Sequence, residues 1–148
     1  MNATLDLSAA SQIVDAALAA ARAQKLKPLT VAVLDAGGHL VAFKREDESG
    51  ILRPQIAVGK AWGALGMGAG SRHLAERAAS HPSFFTALTA ASDGRMFPVP
   101  GGVLIREAAG RIVGAVGISG DMPDQDEACA VHGIETAGLR ADTGASSK

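Results

Sequence analysis

A chain of 148 residues in which 47% are hydrophobic and 20% charged is long enough for one domain with its own core and too short for two of ordinary size. A formal net charge of −1 without a basic run lacks the electrostatic footprint of a nucleic-acid binder, and no apolar stretch approaches the roughly 18 residues of a membrane span. The single Cys129 can close neither an internal disulfide nor a multi-thiolate metal site, and the first residues carry no charged leader region, so a cytoplasmic protein is expected.

The first predicted element is a helix from a Ser8 cap to about Lys25, because Ile13, Val14, Ala17, Leu18 and Ala21 recur at helical spacing. Thr30 to Leu34 is a β-branched run, Asp35 to Gly38 a turn, and Leu40 to Phe43 the returning strand of a hairpin. A helical region follows from Arg53 to Leu88, broken near Gly70-Ser71 and at His81-Pro82. Within it Gly59, Gly63, Gly66 and Gly70 fall on one face. Each glycine costs a helix about 1 kcal/mol relative to Ala, so the stripe needs a reason: close packing against the sheet or another helix, or a smooth wall for a flat ligand. Residues 89–99 read as a mobile loop.

A second hairpin runs from Val103 to Arg106, turns at Glu107 to Gly110 and returns through Arg111 to Ile118. Gly114 and Gly117 interrupt the returning strand, which points to close approach of another backbone, a bulge or a ligand. In the closing helix, Asp124 and Glu127 have capping-box spacing, and Ala130, Val131, Ile134, Ala137 and Gly138 form an apolar face. Glu127 projects onto that face, either bonded back to the helix start or aimed into a cavity. Residues 1–140 are expected to be the folded unit and 141–148 a polar, disordered tail.

The four histidines, His39, His73, His81 and His132, show no paired spacing of a zinc site, and the glycine-rich segments match neither a phosphate-binding loop nor a dinucleotide fingerprint. Ser119 lacks the context of a nucleophile elbow and reads as a turn or cap residue. Asp35 and Arg45 are each open to a functional and a structural reading: bonding within its turn is enough to explain Asp35, and a solvated charge run is enough to explain Arg45 to Glu48. Lys60 stands out because it adjoins the glycine stripe, where its stem covers apolar surface and its ammonium reaches an anion or a carboxylate.

Five segments together carry a resemblance: Val31 to Phe43 with its Asp35-Ala36-Gly37-Gly38 turn, Lys60-Ala61, Pro100-Gly101-Gly102-Val103, Val113 to Gly120, and Gln125-Asp126-Glu127. In this order, over roughly residues 8–139, the chain resembles the GlcG/HbpS haem-degrading family, which includes a domain attached to PduO-type corrinoid adenosyltransferases and members carried in catabolic operons. The resemblance implies an α/β (α+β) profilin-like sandwich, an antiparallel sheet of about five strands flanked by helices, assembled into homo-oligomers. It also implies haem as ligand. Where family members bind haem, the iron contact lies on a hydroxyl or histidine in the helical region or near the chain start, and His81-Pro82-Ser83-Phe84 is the matching stretch. The segment from Phe85 to Met96 is longer than the family pattern.

Three functions are therefore open. In the first, the protein binds haem, with degradation in the presence of a reductant as a further step; Ala64, Leu65, Phe84 and Phe97 wall the macrocycle and His81 or Ser83 stands at the iron. In the second, it is an isomerase or lyase acting on a small anionic molecule: Lys60 binds the anion, Glu127 or Asp126 moves a proton, and the Gly101 and Gly102 amides face an oxyanion. The third is a ligand-binding or assembly domain without turnover.

Overall fold

The structure is a computed structural model, and it describes residues 5–146. Helix α1 (Leu7–Ala23) starts at Asp6, whose carboxylate accepts the Ala9 N–H at 2.7 Å, so the cap is Asp6 and Ser8 sits inside the first turn. Strands β1 (Thr30–Asp35) and β2 (Leu40–Arg45) form the first hairpin, followed by α2 (Arg53–Met67), α3 (Ser71–Ser80) and α4 (Pro82–Ala91). The second hairpin is β3 (Gly102–Arg106) and β4 (Ile112–Ser119), then α5 (Pro123–Thr136) and β5 (Arg140–Asp142).

The five strands make one antiparallel sheet in the order β2-β1-β4-β3-β5. The hairpins meet through their inner strands, β1 pairing with β4. Their turns are built alike. Gly38 and Gly110 adopt φ of +83° and +97°, a conformation that a side chain would strain, and each donates its N–H to the carbonyl three residues earlier, of Asp35 and Glu107. Asp35 Oδ1 accepts from the Gly37 and His39 amides, which holds its carboxyl below the usual carboxylate range.

Alternation along the strands separates two faces. Val31, Val33, Val103, Ile105, Val116 and Ile118 pack with α1 and α5 into the main core, while Leu34, Leu104 and Ala115 face Ala61 and Ala64 of α2. The sheet is thus sandwiched between an α1–α5 layer and α2, the profilin-like α/β arrangement expected. On the α2 side the packing is backbone to backbone: a Cβ on Gly117 would lie 1.8 Å from the Ala57 carbonyl oxygen, and one on Gly102 2.3 Å from that of Lys60. The helix itself, therefore, accounts for the glycine in mid-strand.

Two expectations are corrected, and one open alternative is decided. Helix α5 begins at Met122 with no side-chain cap, and its buried face is Asp126, Cys129, Ala130, Gly133 and Ile134. The apolar spacing placed that face one residue out of phase, so Asp126 points inward and Glu127 does not. The polar tail begins later than residue 141: Ala141 pairs with Ile105 in β5, Arg106 binds Asp142 at 2.8 Å, and Thr143 lies against Gly70; Ser147 and Lys148 fall outside the described residues. Arg45 and Glu46 are engaged rather than merely solvated, Arg45 donating to the Ser49 carbonyl and Glu46 accepting from the Leu29 amide and from Arg22.

Candidate functional site

Lys60 leaves α2 on its sheet side, where no other residue of the helix carries charge into the core. Its Nζ donates to the Ile118 carbonyl at 2.8 Å and to Asp126 Oδ2 at 3.1 Å, and its residue exposure is 2% against 1% for Asp126. Asp126 Oδ1 accepts the Asp121 N–H at 3.0 Å, tying the pair to the turn that leads into α5. Burial is the dominant influence on both groups: it pushes the Lys60 ammonium down and the Asp126 carboxyl up, and the attraction between them opposes each shift. Gly101, at φ +122°, leaves the space that Nζ occupies, since a Cβ there would come within 2.8 Å of it.

The geometry replaces the constellation expected of an isomerase or lyase. Glu127 does not meet Lys60. It receives Arg72 Nε at 2.9 Å, and Arg72 also binds Asp124, which raises the guanidinium pKa further. The Gly102 N–H donates to the buried Ser71 Oγ at 2.7 Å, so it faces no oxyanion. Lys60 and Asp126 are closed off from solvent with their bonds made inside the fold, an arrangement that joins α2, β4 and α5 and offers no opening to a substrate. Ser119 likewise has a structural partner, accepting from Arg53 at 3.0 Å.

The histidine-bearing stretch has the opposite character. His81 ends α3 and precedes Pro82 of α4, and His81, Ser83 and Phe84 are all exposed. The imidazole Nδ1 lies 3.1 Å from Ser80 Oγ, which leaves Nε2 as the nitrogen open to a ligand. Phe84, three residues on, is 49% exposed, while its neighbour Phe85 is buried with Leu74 and Met96. Of the other expected walls, Ala64 is fully buried against the sheet and touches no ligand surface, and Phe97 is fixed by its backbone to α2, its N–H donating to the Gly59 carbonyl.

On its outer side α2 presents Trp62. A groove of about 490 Å³ beside it is lined by Gly38, Pro54, Gln55, Val58, Gly59, Trp62 and the loop Asp93-Gly94-Arg95. The Arg95 guanidinium lies 4.0 Å from the centre of the indole. That loop is seated by the glycine stripe: a Cβ on Gly59 would fall 2.4 Å from the Arg95 carbonyl oxygen, and one on Gly63 2.9 Å from Met96. At Gly59 and Gly63 the stripe thus packs against a loop, neither the sheet nor a helix. Gly66 has no such neighbour and lines smaller hollows on either side of Trp62.

A family model described as "Haem degrading protein HbpS-like" matches residues 5–135. The chain belongs to the HbpS-like family. Among solved structures, a PduOC:haem complex is 24% identical over 93% of this chain and 97% of that one, with a TM-score of 0.83. Klebsiella pneumoniae protein ORFY gives the same identity and TM-score, covering 93% and 94% of the two chains. At that identity the likeness is one of fold. A double mutant of Streptomyces reticuli HbpS is 27% identical over 91% of this chain and 88% of that one, with a TM-score of 0.77. No curated protein matches the chain.

Within this HbpS-like fold, sequence reasoning found Lys60 and Asp126 but missed Ser71, Arg72, Trp62 and Arg95. Arg72 and Ser71 open α3, a short helix whose placement beside α5 and β3 no local pattern announces. Trp62 did carry a signal: it is the only tryptophan in the chain and sits inside the glycine stripe. No helix of the described residues is long and apolar enough to cross a membrane.

Proposed function

We propose that this protein binds haem at the corner between α3 and α4, with His81 Nε2 as the iron ligand and Phe84 against the macrocycle. One observation carries the reading: an exposed imidazole whose Nδ1 is held by Ser80 Oγ at 3.1 Å, which orients the ring and leaves Nε2 for a metal, one helical turn from an exposed phenyl ring. The family's description as haem-degrading supports it. When bound, haem would supply an iron able to take the imidazole nitrogen of His81 and to carry redox chemistry. The chain supplies an oriented nitrogen and an apolar contact, while Ser83 adds an exposed hydroxyl beside them.

An exposed corner covers one side of a macrocycle. A second copy of this chain covers the other in our reading, and the apolar surface left open by a single chain supports assembly: Ile51 is 91% exposed, Leu52 67% and Leu40 56%. The buried, lone Cys129 suits a reducing, cytoplasmic setting. Degradation would require a reductant and dioxygen as co-reactants and is a separate step from binding.

Titration of the purified protein with haemin is expected to give a saturable Soret band distinct from free haemin, weakened by His81→Ala and by Phe84→Ala. A free-haemin spectrum throughout the titration overturns the reading. Loss of the bound Soret band on adding ascorbate in air, with a product distinct from that of free haemin, would identify turnover, and an unchanged band would identify binding alone.

A further inference from the structure

We propose that the groove beside Trp62 is a second ligand site, separate from the haem corner, that takes a small organic carboxylate with an aromatic or otherwise unsaturated body. The proposal stands on which polar groups of the groove are already used. Among the described residues, neither the Trp62 indole N–H, nor the Gln55 amide, nor the terminal nitrogens of Arg95 has a hydrogen-bond partner; Arg95 spends only its Nε, on the Ser92 carbonyl at 3.4 Å. These donors gather round one depression with Pro54, Val58 and the indole ring as its apolar part. A guanidinium whose carbon lies over the ring, 4.0 Å from its centre, with its terminal nitrogens unused, keeps N–H bonds free for a planar acceptor. A carboxylate satisfies them with two parallel hydrogen bonds, and an unsaturated body lies on the apolar wall.

A second large depression among the described residues makes a useful contrast. A groove of about 500 Å³ lined by Leu18, Arg22, Pro28 and residues 44–47 contains more cationic side chains. Each of them is taken: Arg22 by Glu46 and the Lys27 carbonyl, Lys44 by Asp15, Arg45 by the Ser49 carbonyl. An anion there would share its donors with a partner already in place. At Trp62 it would not.

The walls are arranged for access rather than closed by chance. Gly59 lets the Arg95 backbone sit on α2, which brings the guanidinium over the indole, and Gly38 at the tip of the first hairpin clears the indole edge, where a Cβ would stand 3.3 Å from Trp62 Cδ1. Asp93 also lines the groove, and its carboxylate disfavours an anion. It sets a directional test: removing the Asp93 charge tightens binding, and removing the Arg95 charge weakens it.

Because Trp62 is the only tryptophan in the sequence, its emission reports on the surroundings of this one indole. Benzoate is expected to change that emission saturably in the millimolar range or below, with benzamide, its neutral counterpart, much weaker. Calorimetry should give a loss of about tenfold in affinity, or about 1.4 kcal/mol, for Arg95→Gln, and a gain for Asp93→Asn. His81→Ala should leave benzoate binding intact, and Arg95→Gln should leave the haemin spectrum intact, so the two sites stand or fall separately. Benzamide binding as tightly as benzoate, no saturable response, or an unchanged affinity in Arg95→Gln would overturn the proposal.

Discussion

Lys60 and Trp62 stand two residues apart on α2 and face opposite ways. Lys60 turns to the sheet, where its ammonium is bound to Asp126 and the Ile118 carbonyl and sealed from water. Trp62 turns outward, beside a guanidinium whose terminal nitrogens have nothing to hold. A charge without water must find its partners within the fold, and once it has them it is a fastener. A charge at the rim of a groove keeps its capacity for a ligand. Helix α2 therefore divides its work by face, and its lysine, a residue type that proton transfer and anion binding often recruit, lies on the face that does neither.

Removal of one half of the buried pair should break this division most severely. Lys60→Met leaves the Asp126 carboxylate buried without its cation, at a cost of about 3–5 kcal/mol. The double substitution Lys60→Met, Asp126→Leu should recover most of that loss, since apolar groups of similar volume can replace a buried pair at little net cost. Urea unfolding of the single and double variants measures both. If Lys60→Met were as stable as the parent and had lost a measurable activity, Lys60 would be a working group and the contrast with Trp62 would fail.

How much of this was legible in the sequence follows from how local each determinant is. The hairpins were readable because their turns are self-contained: Asp35 bonds to its own neighbours, and Gly38 and Gly110 stand where the backbone needs positive φ. The three helices of residues 53–91 were readable from their punctuation, Gly70 and His81-Pro82. The face of α5 was not. Asp126 is buried only because Lys60, 66 positions earlier, reaches it across the sheet, and a scan for apolar spacing assigns an aspartate to the solvent side. Glu127 was misread for the same reason, its partner Arg72 lying 55 positions away. The glycine stripe was correctly read as needing a packing reason, but the loop it accommodates has no pattern of its own. The site suffers most from this: His81 and Phe84 adjoin in sequence and could be nominated together, whereas Trp62 and Arg95 meet only after folding.

The next effect is smaller and extends the closed side of the comparison. Cys129 lies one turn from Asp126 on the buried face of α5, and burial, with the carboxylates of Asp126 and Asp121 adding to it, pushes the thiol up to about 11 from 9.0. The folded state thus holds this proton more tightly than the unfolded chain. Its contribution to stability is fully present below pH 9 and is lost as pH rises toward about 11, because the unfolded chain then binds fewer protons. Denaturant midpoints measured across that range should fall, and Cys129→Ala should flatten the decline. The same thiol should resist a disulfide reagent at pH 8 until the protein unfolds. Rapid modification of the folded protein would mean that water reaches the α5 end of the buried pair, and would make the Lys60 side less closed than its contacts indicate.

The smallest effect sharpens the open side. His81 occupies the boundary between two helices, where a side chain commonly caps the next turn, yet it makes no capping bond to the α4 backbone and its side chain meets the exposed Ser80 hydroxyl. His81→Ala should therefore change stability by no more than about 0.5 kcal/mol, the range of surface substitutions that break no structural contact. Thermal or urea unfolding checks this before any ligand is added. A large loss would show that the imidazole braces the α3–α4 corner, and a weakened haemin spectrum in that variant would then report a damaged corner instead of a missing iron ligand. A negligible loss together with a weakened spectrum leaves Nε2 as the property removed, since the fold around it has not changed. The test turns on the quality that separates His81 and Trp62 from Lys60: a residue the fold can spare is one whose chemistry is free for something else.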